Sequence, residues 1–105
     1  MTATPGQIGP YRVEQVRIAG GDETLMFEAA LLCDGAPIAI VSNSGIGGCH
    51  SYRPLDQDGW AAIRAFEEYA TEWGERQTPA VRFEPNDAIV YDLIDDWWDG
   101  QPIYR

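Results

Sequence analysis

Lysine is missing from this 105-residue chain, and histidine occurs once, as His50. A phosphate loop of the G-x-x-x-x-G-K-[ST] type is therefore excluded. One histidine also leaves no H-x-x-x-H pair, and the two cysteines, Cys33 and Cys49, lack C-x-x-C spacing, so neither a metal site nor a cofactor is expected. Two cysteines do not make a disulfide framework, which suits a reducing compartment. No apolar run approaches the roughly 18 residues that span a bilayer. Met1 to Pro10 has neither the basic start nor the apolar stretch of a secretory signal. These absences predict a cytoplasmic protein.

Positive charge is scarce as well: all seven basic residues are arginines, set against 17 acidic ones, for a net charge of −10. The excess is uneven, with 5 acidic and 3 basic groups in residues 1–55 and 12 and 4 in residues 56–105. A polyanionic partner is repelled by such a chain, so direct binding to nucleic acid or to an anionic membrane is not expected.

What is present is enough to fold. The length fits one domain, and an apolar fraction of 45% with 11% aromatics is enough to fill its core. Residues 1–10 read as a flexible lead-in and 11–105 as a single α+β domain, with the oligomeric state left open. Tyr11 and Val13 alternate, and Val16 and Ile18 alternate out of phase, as in a strand with a bulge near Glu14 and Gln15. Gly20 and Gly21 turn the chain. From Thr24 to Cys33, Leu25, Phe27, Ala29, Leu31 and Cys33 share one face, and Met26, Ala30 and Leu32 the other. Asp34-Gly35 is a type I′ hairpin signal; it sets Cys33 opposite Ala36, Leu31 opposite Ile38 and Ala29 opposite Ile40. Pro37 is acceptable near the start of the next strand, Ala36 to Ser42, if it faces an edge.

Further on, Asp56 or Asp58 can cap a helix whose stripe is Trp60, Ile63, Phe66, Ala70 and Trp73, with Gly74 as its stop. Ala80 to Phe83 is a candidate short strand. Asn86 or Asp87 can cap a second helix with Ile89, Val90, Leu93, Ile94 and Trp97 inward, ending at Gly100; "AIVYDLI" is also compatible with a strand. The order predicts an antiparallel β-meander of three or four strands with two helices packed on one face.

The densest chemistry lies in "SNSGIGGCHSY", residues 42–52. Glycines and Asn43 supply the positive φ of a sharp exit from a strand, and successive amides in such a loop can converge on an anion. On that reading Ser42, Asn43, Ser44, Gly45, Gly47, Gly48, His50, Tyr52 and Arg53 form a site for a small phosphate-bearing ligand such as a nucleotide signal. The glycines supply amides, Arg53 charge and Tyr52 a stacking face. Catalysis is not expected, because Cys49 and His50 are sequence neighbours that point apart in extended chain, and no base-plus-orienter set is visible.

The stretch Phe27 to Tyr52 resembles a block in small uncharacterised bacterial and phage proteins, in which a hairpin strand leads into an N-x-G-x-G-G loop. The resemblance covers about a quarter of the chain. It implies a shared hairpin and loop and a phage or prophage source, with nothing chemical attached.

The second informative stretch is "DLIDDWWDG". On a helix, Asp92, Asp95, Asp96 and Asp99 surround Trp98 near the negative end of the dipole, where carboxylates are unfavourable. An aromatic anchor inside a charged rim is the composition of a protein-binding hot spot. Two functions follow, both non-catalytic. Either the glycine loop captures a small anionic ligand, or the C-terminal half docks on a basic protein partner. The second describes an acidic inhibitor, namely a DNA mimic, an anti-CRISPR-like protein or an immunity protein. A role in phage counter-defence accommodates both.

Overall fold

A computed structural model describes residues 7–19 and 26–99. Five strands run in chain order as one antiparallel sheet: β1 (Gln7–Ile8), β2 (Tyr11–Ala19), β3 (Met26–Cys33), β4 (Ala36–Asn43) and β5 (Ser51–Pro54). Helices α1 (Gly59–Glu75) and α2 (Pro85–Asp99) follow. They pack against each other and against the sheet, and the fold is α+β.

The meander has one strand more than the three or four expected. Gln7–Ile8, inside the anticipated lead-in, pairs with Arg12 and Tyr11 around a turn whose Gly9 has φ +55°. Ser51–Pro54 pairs with β4 from Ser42 back to Ala39. The segment Ala80 to Phe83 is not a strand. Its Val81 amide donates to the Gly74 carbonyl at 2.9 Å, which ties the segment to the end of α1 and away from any sheet edge. The turn at Gly20 and Gly21, the strand residues Thr24 and Leu25 and the stop at Gly100 lie outside the described residues.

Asp34 and Gly35 take φ of +52° and +83°, the positive pair that a type I′ turn demands, and Cys33 faces Ala36. Beyond that pair the register departs from the simple ladder. Leu32 faces Pro37 while Leu31 faces Ala39, so Ile38 is an extra residue and β4 carries a bulge. Ala29 consequently meets Val41, not Ile40. The missing N–H of Pro37 costs no ladder bond, because β5 pairs only with Ala39 to Ser42. A second bulge sits in β2 between Glu14 and Arg17, with Gln15 at φ +53°. It moves Val16 and Ile18 to the helix-covered face and leaves Arg17 on the other.

The core joins Tyr11, Val13, Phe27, Ala29, Leu31 and Val41 of the sheet to Phe66 and Ala70 of α1 and to Ile89, Val90, Leu93 and Ile94 of α2. At roughly 1.5–3 kcal/mol per fully buried large apolar side chain, this cluster is the main stabilising term. Trp60 is not part of it. The indole is 59% exposed, since the buried row of α1 is Gly59, Ile63, Phe66, Ala70 and Gly74. The helix starts so close to the sheet that a Cβ on Gly59 would meet Pro54 and the Ile38 carbonyl. Gly74 lies within the helix, not at its stop, and Arg76 caps the end. Asp58 occupies the N-cap without a side-chain bond, while Asp56 Oδ1 accepts from the Asp58 amide at 2.9 Å.

Among the described residues, no helix packs on the opposite face of the sheet. Cross-strand pairing aligns Glu14, Ala30, Ile40 and Arg53 in one row, and Arg17, Glu28, Ser42 and Ser51 in the next.

Candidate functional site

The β4 bulge decides what the glycine loop can do, because it turns Asn43 toward the helices. Asn43 is 5% exposed, and its Oδ1 accepts from the Gly45 amide at 2.8 Å, closing an Asx turn. That bond fixes the orientation of the side-chain amide. Nδ2 therefore faces His50 Nδ1 at 3.1 Å and donates to the Gly48 carbonyl at 3.3 Å. With Nδ1 accepting, the ring proton sits on Nε2, and this nitrogen is buried with no hydrogen-bond partner among the described residues. Gly45, Gly47 and Gly48 all have φ between +83° and +89°, so the glycines supply the left-handed backbone that the loop needs.

His50 is 5% exposed. Its ring stands edge to face against Phe27, with centroids 4.8 Å apart, and against Tyr91 at 4.6 Å. Burial pushes its pKa below the ordinary value, with the nearby Asp87 carboxylate opposing the shift. The anchor for this part of the fold comes from α2. Pro85 opens that helix, as suits a residue without an N–H, and Asp87 falls in its first turn, where a carboxylate is favoured. Asp87 is 5% exposed. One oxygen accepts from the His50 backbone N–H at 2.9 Å and the other from the Tyr52 hydroxyl at 2.7 Å. Burial and the Asp87 contact both raise the Tyr52 pKa. Asp87 is thus a cross-link between the loop and α2, not the cap expected of it.

The structure divides the candidate ligand residues. Asn43, Gly45, His50 and Tyr52 turn inward and are engaged with one another or with Asp87. Ser42 and Arg53 lie on the sheet face away from the helices, one strand apart, and Ser44 and Gly48 are exposed on the loop. The Tyr52 ring is half-buried and tilted against Phe66, with centroids 6.0 Å apart. Cys49 is exposed while His50 is buried, so the two do not form a nucleophile and base. Among the described residues no three His, Cys, Asp or Glu side chains cluster as a metal site. No helix there is long and apolar enough to cross a membrane.

The acidic residues, by contrast, do share a surface. Asp92, Asp95 and Asp96 are exposed on α2, and Trp98 is 60% exposed while Trp97 packs against the core. The side chain of Asp99 lies outside the described residues. Burial, followed by the charges of Asp95 and Asp96, raises the Asp92 pKa above the ordinary carboxylate value. Ile18, Ile94, Asp95 and Trp98 line a recess of about 260 Å³ between β2 and α2. Ile94 and Trp98 are four residues apart and so share a helix face.

Sequence reasoning missed the role of Asp87 together with the aromatic walls Phe27 and Tyr91. The only signal was an acid at a helix start; its partners are 35 and 37 residues away. In comparisons with known proteins, no family model, no curated protein and no solved structure matches this chain.

Proposed function

We propose that this is a non-catalytic binding protein that docks the acidic face of α2 on a basic surface of another protein. The observation that carries the reading is the recess formed by Ile18, Ile94, Asp95 and Trp98, on a helix that also exposes Asp92 and Asp96. Its volume of about 260 Å³ is below the ~300–1,000 Å³ of small-molecule pockets; it suits one side chain of a partner. An arginine fits its chemistry, with the stem on Ile18 and Ile94 and the guanidinium between the Asp95 carboxylate and the indole face. Burial, and after it the charges of Asp95 and Asp96, raises the Asp92 pKa, and a cation held at Asp95 offsets part of that charge. Inhibition of a nucleic-acid-binding protein by mimicry of its acidic ligand, or neutralisation of a basic toxin, would use a surface of this kind, and a phage counter-defence role includes both. Capture of a phosphate-bearing ligand at residues 42–53 has less support, because Gly45, His50 and Tyr52 are engaged internally and Arg53 lies across the sheet.

Affinity capture from the native host, with wild type and Trp98→Ala compared by mass spectrometry, tests the reading. A basic protein retained by the wild type should be lost or reduced with the variant. For the purified pair, association should slow steeply with added salt, and Trp98→Ala should act mainly by speeding dissociation. A partner equally well held by Trp98→Ala and by Asp92→Asn/Asp95→Asn/Asp96→Asn overturns the proposal.

A further inference from the structure

We propose that the helix-free face of the sheet pairs with the same face of a second copy of this chain, giving a symmetric dimer with the helices outside and two sheets within. This proposal is independent of the docking role assigned to α2. It starts from charge. The open face holds Arg12, Arg17 and Arg53 with Glu14 and Glu28, three cations against two anions, on a chain whose net charge is −10. Here alone among the sheet and helix faces described above do cations outnumber anions, so two copies meet there with least like-charge repulsion.

The row order makes the face self-complementary. From β2 to β5 the central row reads Glu14, Ala30, Ile40, Arg53: acid, apolar, apolar, base. A two-fold axis parallel to the strands, between β3 and β4, reverses that order in the partner. Glu14 then lies opposite the second copy's Arg53, Ala30 opposite its Ile40, and each contact occurs twice, as an isologous interface requires. Packed sheets are rotated by about 30°, and strands lie about 4.8 Å apart, so the outer strands are displaced by only about 4 Å, within reach of an arginine. Glu14 already pairs with Arg12 at 2.8 Å in its own chain, and a carboxylate has acceptor sites for a second guanidinium. The apolar residues that this face offers a partner are Ile40, partly exposed, and Met26, 40% exposed at the end of the β2–β3 ladder, while Ala30 and Leu32 are already buried within the single chain. The β2 bulge adds relief, a recess of about 410 Å³ that includes Arg17, Glu28, Ala30 and Ile40 in its walls.

Four strands by about seven residues give a flat area of roughly 450 Å² per copy, about 900 Å² in all, close to the ~1,000 Å² lower bound for a specific interface. The dimer is therefore weak and concentration-dependent. Sedimentation velocity over a concentration series should show the wild type in reversible exchange between one and two copies. Arg53→Glu alone and Glu14→Arg alone should each weaken dimerisation about tenfold or more, because like charges then face each other twice. An equimolar mixture of the two variants should restore the dimer as a heterodimer, which an effect confined to one chain's own fold would not do. If a reversal unfolds the chain by circular dichroism, Arg53→Gln and Glu14→Gln should weaken the dimer in the same direction. A wild type that stays monomeric up to millimolar concentration, or variants whose mixture remains monomeric, overturns the proposal.

Discussion

Asp87 is the residue on which the loop, β5 and α2 converge, and its removal exposes what it does. Replacement by alanine strands the His50 amide and the Tyr52 hydroxyl as buried donors. Asp87→Ala should therefore lower stability by about 2–4 kcal/mol in chemical denaturation, whereas Asp87→Asn, which keeps one acceptor, should cost less. His50 sets a second, pH-dependent signature. The unfolded histidine takes up a proton near its ordinary value of about 6.5, while burial makes the folded ring resist it. The unfolded state thus binds more protons below that pH, so stability is full above pH ~6.5 and declines as pH falls below it. Asp92, raised by burial and by its acidic neighbours, contributes with the opposite sign, gaining stability for the folded state as it protonates. Because the chain has one histidine, denaturation midpoints of His50→Gln should lose the His50 component of this slope; an unchanged slope would place its origin elsewhere.

At the scale of elements, two glycines give opposite lessons about substitution. Gly35 has φ +83° and open space around it, so Gly35→Val is penalised through the backbone alone, by about 1–2 kcal/mol. Gly74 lies in α1, where exchange for alanine ordinarily gains about 1 kcal/mol of helix propensity. Here a Cβ would run into the Val81 carbonyl oxygen and crowd Pro85, at the point where the chain leaves α1 for α2. Gly74→Ala should destabilise by about 1–3 kcal/mol, the cost of overpacking outweighing propensity, as a thermal or urea melt would reveal. The hairpin at Asp34-Gly35 and the β2 bulge were legible in the sequence, since both follow from local dihedral preference and alternation. Helix α1 was legible in span, but Trp60 was misplaced by taking any apolar residue on the stripe as buried. The β5 strand was hidden because Ser51 to Pro54 alternates without a run of apolar residues, its inward face holding only Tyr52 and Pro54.

For the molecule as a whole, surface charge and stability pull in different directions. Asp95 and Asp96 add their charge to the burial that raises the Asp92 pKa, and Asp96 lies in the last turn of α2, where the dipole disfavours a carboxylate by about 0.3–1 kcal/mol. The triple asparagine variant should accordingly melt higher than the wild type while losing affinity for a basic partner. A variant that gained no stability would mean that the acidic face is not strained in the free protein.

The sequence by itself determined the class of this fold, because period-two and period-3.6 patterns, a two-residue turn and helix-start acids are all local signals. It also determined that acid would gather on the C-terminal helix. What only the tertiary structure decided is which way the glycine loop looks. The extra residue at Ile38 shifts β4 by one, and a shift of one turns every later side chain to the other face. Local hairpin geometry has no preference for that slip. It is selected where α1 approaches the sheet at Gly59, with small Ala39 fully buried on the inward face and Ile38 only partly so. Asn43 is carried inward as a result, His50 and Tyr52 meet Asp87 from a segment more than thirty residues away, and Arg53 is left on the far side of the sheet.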